Sequence, residues 1–169
     1  RGGDWSSDVC SSDLPPLRSG RQDRGLLKMP PGQGGTLEQA YQIALRPVCE
    51  VLQSEQVDPA NVQWLCDSII RTGHWLAPII VERSQGIVMD GNHRLNAALQ
   101  LGLHRVPCIQ LDYADPRVCV RHWQTGQAFE VARIFATIAR GEIFAYKTTR
   151  HVFDPALPVI AIPLERLYE

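Results

Sequence analysis

The chain has 169 residues, 44% of them hydrophobic and 21% charged, with a formal net charge of -1. That length and composition suit one domain with an ordinary core, and the near-neutral charge argues against a dedicated nucleic-acid binder with a strongly basic face. No apolar run has the length of a membrane span and no secretory signal pattern is visible, so the expected location is the cytoplasm, without a membrane partner.

Residues 4–14 read DWSSDVCSSDL, which matches one translated frame of a short-read sequencing adapter. We expect residues 1–36 to be a disordered tail that begins with this artefact, and residues 37–169 to be the domain. The stretch from Leu14 to Thr36 is rich in Pro, Gly and Arg and lacks periodicity. Thr36 is a candidate N-cap for a helix over Leu37 to Leu45, which Pro47 would end, and Val48 to Leu52 reads as a first strand. Asp58-Pro59 is a helix start, with Asp as cap and Pro at the first turn. Val62, Leu65, Cys66, Ile69 and Ile70 then recur at helical spacing up to Gly73.

Pro78 to Glu82 and Ile87 to Met89 form a predicted hairpin around Ser84-Gln85-Gly86. A helix follows, with Leu95, Ala98 and Leu99 on one face and Gly102 after it. Arg105 to Leu111 and Val118 to Trp123 read as strands, Phe129 to Arg140 as a helix, and Val159 to Tyr168 as a short strand with a closing turn. The expected fold class is therefore α+β, a compact domain with a small mixed sheet and flanking helices. The five cysteines, Cys10, Cys49, Cys66, Cys108 and Cys119, show no CxxC or zinc-finger spacing. They read as small buried hydrophobes, with a disulfide or a metal site as the alternative. His74-Trp75 is expected to pack or to line a rim, and His104 and His122 to lie at the surface or a strand edge.

Asp90-Gly91-Asn92-His93-Arg94 carries the chemistry. Gly91 permits a sharp turn from strand to helix and close approach to the backbone. The first helical amides lack partners within the helix and face a positive dipole end, which suits a phosphate. Arg94 adds a forked cation and His93 a donor or titratable group. Asp90 suits a metal ion or a substrate hydroxyl better than an anion. These residues alone also fit a capped helix with a polar start. Lys147, Thr148, Thr149, Arg150 and His151 form a second group that reads as an anion grip or as a solvated basic loop. Glu55 alone reads as a surface carboxylate, Ser68 as a mid-helix residue, and Trp123 as core or pocket wall.

The run from Gly86 to Pro107 resembles the core of the ParB/sulfiredoxin superfamily, whose Gly-x-x-Arg turn at a helix start binds nucleotide phosphates. The turn is most similar to that of the free serine kinases, which carry Asp-Gly-His-His-Arg. Asn92 stands at the first His of that pattern, while His93 and Arg94 match. Leu52 to Asp58 resembles the kinase segment whose Glu accepts the serine hydroxyl proton, here Glu55, with Ser54 at a preceding His. Ser68 and Trp123 fall where the family has substrate-pocket residues, and Tyr146 to His151 resembles its C-terminal Thr-Arg-His motif.

The resemblance implies a ParB/sulfiredoxin-like domain acting as a kinase. ATP or ADP would be the donor, free L-serine the acceptor and Mg²⁺ the metal. It implies Glu55 and Asp90 as catalytic residues, Asp90 also as the metal ligand, and Gly91, Asn92, His93 and Arg94 as nucleotide-binding. Ser68, Trp123, Lys147, Thr148, Thr149, Arg150 and His151 would bind the small amino-acid substrate. The alternative is a non-catalytic nucleotide-binding regulator, such as the N-terminal domain of a DNA-partitioning ParB. No helix-turn-helix or basic stripe supports it, and nucleic acid is not an expected partner. Sulfiredoxin-like repair needs a Cys in the turn, where Asn92 and His93 stand.

Overall fold

The computed structural model describes residues 41–169. The expected tail, the adapter-like segment, Cys10 and the start of the helix expected from Leu37 lie outside the described residues. Residues 43–47 form strand β1 (Ile43–Pro47), so the described end of that expected helix is extended. The cause is tertiary. β1 pairs antiparallel with β5 (Arg105–Leu111), Ile43 opposite Ile109 and Pro47 opposite Arg105, and a five-residue apolar run has no strong preference of its own.

The strand expected at Val48 to Leu52 is instead a 3-10 turn, Val48–Glu50. Val48 and Val51 are both buried. Two inward-facing residues three apart fit three residues per turn and do not fit strand alternation. The turn is pinned where the Val48 N–H donates to the His104 carbonyl at 2.9 Å.

Helix α1 (Pro59–Thr72) starts as its sequence dictates. Asp58 accepts a hydrogen bond from the Ala60 N–H at 2.9 Å, and Gly73 ends the helix in left-handed geometry. A two-residue strand β2 (His74–Trp75) follows, with Trp75 fully buried. Next come β3 (Ile79–Glu82), β4 (Val88–Asp90), helix α2 (Asn92–Gln100) and β5. The main sheet has the order β1-β5-β3-β4, with β3 parallel to β5 and the other pairs antiparallel. Beyond it lie β6 (Val118–His122), α3 (Val131–Ala139), β7 (Thr149–Phe153), β8 (Ile162–Pro163) and a closing 3-10 turn.

Strand alternation sorts the core into two faces. Ile79, Val81, Val106 and Cys108 face α1 and α2, where they meet Val62, Cys66, Ile69, Leu95 and Ala98. Ile80, Ile109 and Leu111 face the other way, toward Tyr113, Val118 and Phe153. There β6 and β7 form an antiparallel ribbon, Val118 opposite Phe153 and His122 opposite Thr149. The result is helices, sheet and ribbon in layers, with α3 packed through Ile134 onto Val120, Phe129 and Phe144.

Cys66 and Cys108 are buried, as expected, and burial pushes the Cys108 thiol up to about 12. Cys49 and Cys119 are exposed, a departure from the buried-hydrophobe expectation. On β6, Val120 takes the inward position, so alternation turns Cys119 outward. No helix among the described residues is long and apolar enough to cross a membrane.

Candidate active site

Strand β4 ends at Asp90, and the chain turns through Gly91 into α2. Gly91 has φ 109°, a conformation that residues with a Cβ rarely adopt, and a Cβ there would lie 3.2 Å from Arg94 Nε. The Arg94 side chain folds back beneath the turn. Nη2 donates to Asp90 Oδ2 at 2.8 Å, and Nη1 donates to the Pro78 carbonyl at 2.7 Å. The guanidinium therefore braces the turn to β3 and partly neutralises Asp90, two tasks besides any contact with phosphate.

His93 is oriented by the start of α1. Its Nε2 accepts from the Asp58 N–H at 3.1 Å, which leaves Nδ1 as the protonated nitrogen of the neutral ring. Tyr146 meets the same ring edge-on, with centroids 5.7 Å apart. The Asn92 side chain turns toward the segment before α1. Its Oδ1 accepts from the Ser54 N–H at 2.9 Å, and its Nδ2 donates to Ser54 Oγ at 3.1 Å. The two positions that depart from the kinase pattern, Asn92 and Ser54, thus contact each other.

Glu55 follows at once and is 8% exposed. Its Oε1 accepts from both the N–H and the hydroxyl of Thr149, the latter at 2.6 Å. Burial raises its pKa, opposed by the Thr149 hydrogen bonds and by the backbone N–H groups of Thr148 and Lys147. Three successive amides converge on one carboxylate, and Lys147 takes a positive φ of 58° to aim them. Part of the group expected to grip an outside anion, the amides of 147–149 and the Thr149 hydroxyl, therefore holds Glu55. Short main-chain bonds hold the arrangement, Gln56 N–H to the Phe144 carbonyl and Phe144 N–H to the Ser54 carbonyl.

β7 then divides the C-terminal motif. Thr149 and His151 point inward, while Arg150 is exposed on the opposite face. His151 Nε2 lies 3.2 Å from the Tyr113 hydroxyl, and burial pushes its pKa down to about 4 against the pull of Asp90. Arg150 lies over the Trp123 ring at 5.8 Å, and Lys147 Nζ over the same ring at 5.4 Å. Trp123 is half-buried, with its main-chain N–H donating to the Thr148 carbonyl at 3.0 Å. Thr148 Oγ1 donates to the Ala145 carbonyl at 2.7 Å.

Asp90 through Arg94, Glu55 and residues 147–151 with Trp123 therefore form one linked group. Ser68 does not join it. It is half-buried on α1, and at about 1.5 Å of rise per residue it stands well down the helix from the end that meets His93. Sequence reasoning missed Tyr113, which orients His151, and the amide contacts of Asn92. Two asparagines four apart on α2, Asn92 and Asn96, were the available signal for the latter. Among the described residues, no group of three or more His, Cys, Asp or Glu side chains stands close enough to hold a metal ion by itself.

No family model matches the chain. A ParB-like protein of Sulfolobus acidocaldarius is 44% identical over 55 residues, which are 32% of this chain and 28% of that protein. An ATP-dependent L-serine kinase of Staphylothermus marinus is 36% identical over 80 residues, 45% of this chain and 32% of the kinase. The matches thus span about a third or less of these relatives. A solved free serine kinase in complex with AMP aligns at a TM-score of 0.68 and 15% identity, over 74% of this chain and 93% of that one. The chain therefore has the fold of that free serine kinase, and over part of its length its sequence is similar to a ParB-like protein and to L-serine kinases.

Proposed function

We propose that the chain is a small-molecule kinase that transfers a phosphoryl group from ATP or ADP to the hydroxyl of free L-serine. The observation that carries this reading is Glu55, a buried carboxylate with a raised pKa, held beside the strand-to-helix turn by residues 94 positions away. Burial of a carboxylate is unfavourable, and a carboxylate whose pKa burial raises is better suited to accept a proton than an exposed one. The names of two matched relatives, ATP-dependent L-serine kinases, support the same reaction.

In this scheme Glu55 takes the serine hydroxyl proton as that oxygen attacks the terminal phosphorus. The bond to the departing nucleotide breaks, and its electron pair stays on the leaving phosphate oxygen. The α2 amides bind phosphate oxygens with His93 beside them, and Arg94 holds the turn in shape and adds positive charge. Lys147, Arg150 and Trp123 form the rim on which the amino acid lies. The donor set fits Mg²⁺ only as a nucleotide-borne ion, with Asp90 as its one protein carboxylate. When bound there it would neutralise phosphate charge.

Incubation of wild type and Glu55→Gln with Mg²⁺, serine and either nucleotide, with phosphoserine read by mass spectrometry, tests the proposal. The variant keeps the shape but cannot accept the proton. Its rate should fall by about 10²–10⁴-fold while nucleotide affinity by calorimetry stays close to wild type. No product from wild type with either nucleotide would replace the kinase with a nucleotide-binding regulator.

A further inference from the structure

α2 carries two asparagines one turn apart, Asn92 and Asn96, and both reach the segment that bears Glu55. Asn92 Oδ1 accepts from the Ser54 N–H at 2.9 Å, and the Glu55 N–H lies 3.4 Å from the same oxygen. Asn96 Nδ2 donates to Gln53 Oε1 at 3.1 Å and to the Asn92 carbonyl at 2.9 Å. Gln53 Nε2 then donates to the Glu55 carbonyl at 2.7 Å. Ser54 Oγ closes the set by donating to the Val88 carbonyl of β4 at 2.7 Å.

We propose that Asn96 and Gln53, with the Asn92–Ser54 pair, form an amide ladder that positions Glu55 by holding its main chain on both sides against the phosphate-turn helix. The inference rests on the kinase reading for its meaning and on geometry for its existence. Packing alone does not require these groups. Gln53 and Asn96 are half-buried, and water would satisfy their amides if they turned outward. They turn inward, and each bond ends on Glu55, on its neighbour Ser54, or on a group that does. Thr149 holds the Glu55 carboxylate, and the amide ladder holds the main chain that carries it. A ladder rooted in the first turns of α2 ties the base to the element that would receive the phosphates. A misplacement of about 1 Å at a reacting group lowers rate by about a hundredfold. Asn96 and Gln53 are thus positioning residues and touch no substrate.

The test uses Asn96→Ala and Gln53→Ala in the full chain, with Asn96→Gln as a longer amide that can re-form the bond. The first readout is the Thr149 amide proton in an NMR titration, because that N–H donates to Glu55 Oε1 and follows its charge. We expect the midpoint in both alanine variants to move down toward the ordinary carboxylate range, as water reaches a loosened Glu55. Asn96→Gln should recover part of that shift. The second readout is turnover, which should fall about ten- to a hundredfold with the nucleotide KM unchanged. Melting temperatures near wild type would show that the fold is kept. A Thr149 midpoint identical to wild type in both alanine variants would overturn the ladder, whatever the enzyme activity. A wild type that makes no phosphoserine would instead remove the kinase reading, with the titration still deciding the ladder.

Discussion

Gly91 shows how much one missing Cβ permits. At φ 109° an alanine would be strained, and its Cβ would press on a guanidinium already fixed by Asp90 and the Pro78 carbonyl. Gly91→Ala should therefore destabilise the fold by about 1–3 kcal/mol, measured by urea denaturation. Wild-type stability in that variant would mean the turn relaxes freely. Glu55 makes a second prediction at the same scale. Its pKa is raised above the ordinary 4.5, so the folded protein holds this proton more tightly than the unfolded chain. The stability it contributes is complete below pH 4.5 and is lost as pH rises through the raised value. Glu55→Gln has no such titration. Its stability relative to wild type should improve as pH increases across that window, read from urea melts at several pH values. A constant difference would mean that Glu55 has an unshifted pKa.

Among the elements, α1 is the plainest case of local sequence deciding structure, since cap, first-turn proline and terminal glycine all fall where expected. Asp58→Ala should cost about 1 kcal/mol of stability yet leave nucleotide binding intact, because His93 is held by the Asp58 main chain rather than its side chain. A thermal melt and a binding titration on one sample separate the two effects. The hairpin, α2, β5, β6 and α3 were legible for a similar reason, although Leu99, expected on the buried face of α2 with Leu95 and Ala98, is exposed. β1 and the Val48–Glu50 turn were not, because pairing with β5 decides the first and burial of Val48 and Val51 the second. The strand β7 hides within a motif that reads as a loop. Its alternation is what sends Thr149 to Glu55 and Arg150 to Trp123, a division that the bare order Thr-Arg-His does not reveal.

For the whole molecule, the layers have one functional consequence. The Asp90–Arg94 turn leaves the sheet, Glu55 precedes α1, and the Thr149 segment belongs to the ribbon, so three separate parts of the chain meet at one place. The strand-to-helix turn at Gly91 was readable from contiguous residues, whereas the Glu55–Thr149 contact was not, since nothing in either segment announces the other. The expected independence of the tail also belongs to this scale. Deleting residues 1–25 should leave the melting temperature and nucleotide affinity unchanged, and a large drop in either would show that the adapter-like segment belongs to the folded protein.

The Glu55–Thr149 contact joins residues 94 apart in sequence, whereas Asp90 and Arg94 are four apart. Closing so long a loop must overcome chain entropy before the contact rewards it, so local contacts assemble sooner than distant ones. We therefore expect the Asp90–Arg94 pair to form ahead of the Glu55–Thr149 contact in refolding. A partly folded chain would then hold the Asp90–Arg94 pair before Glu55 meets Thr149, an order that pulse-labelled hydrogen exchange at the Thr149 amide during refolding would check.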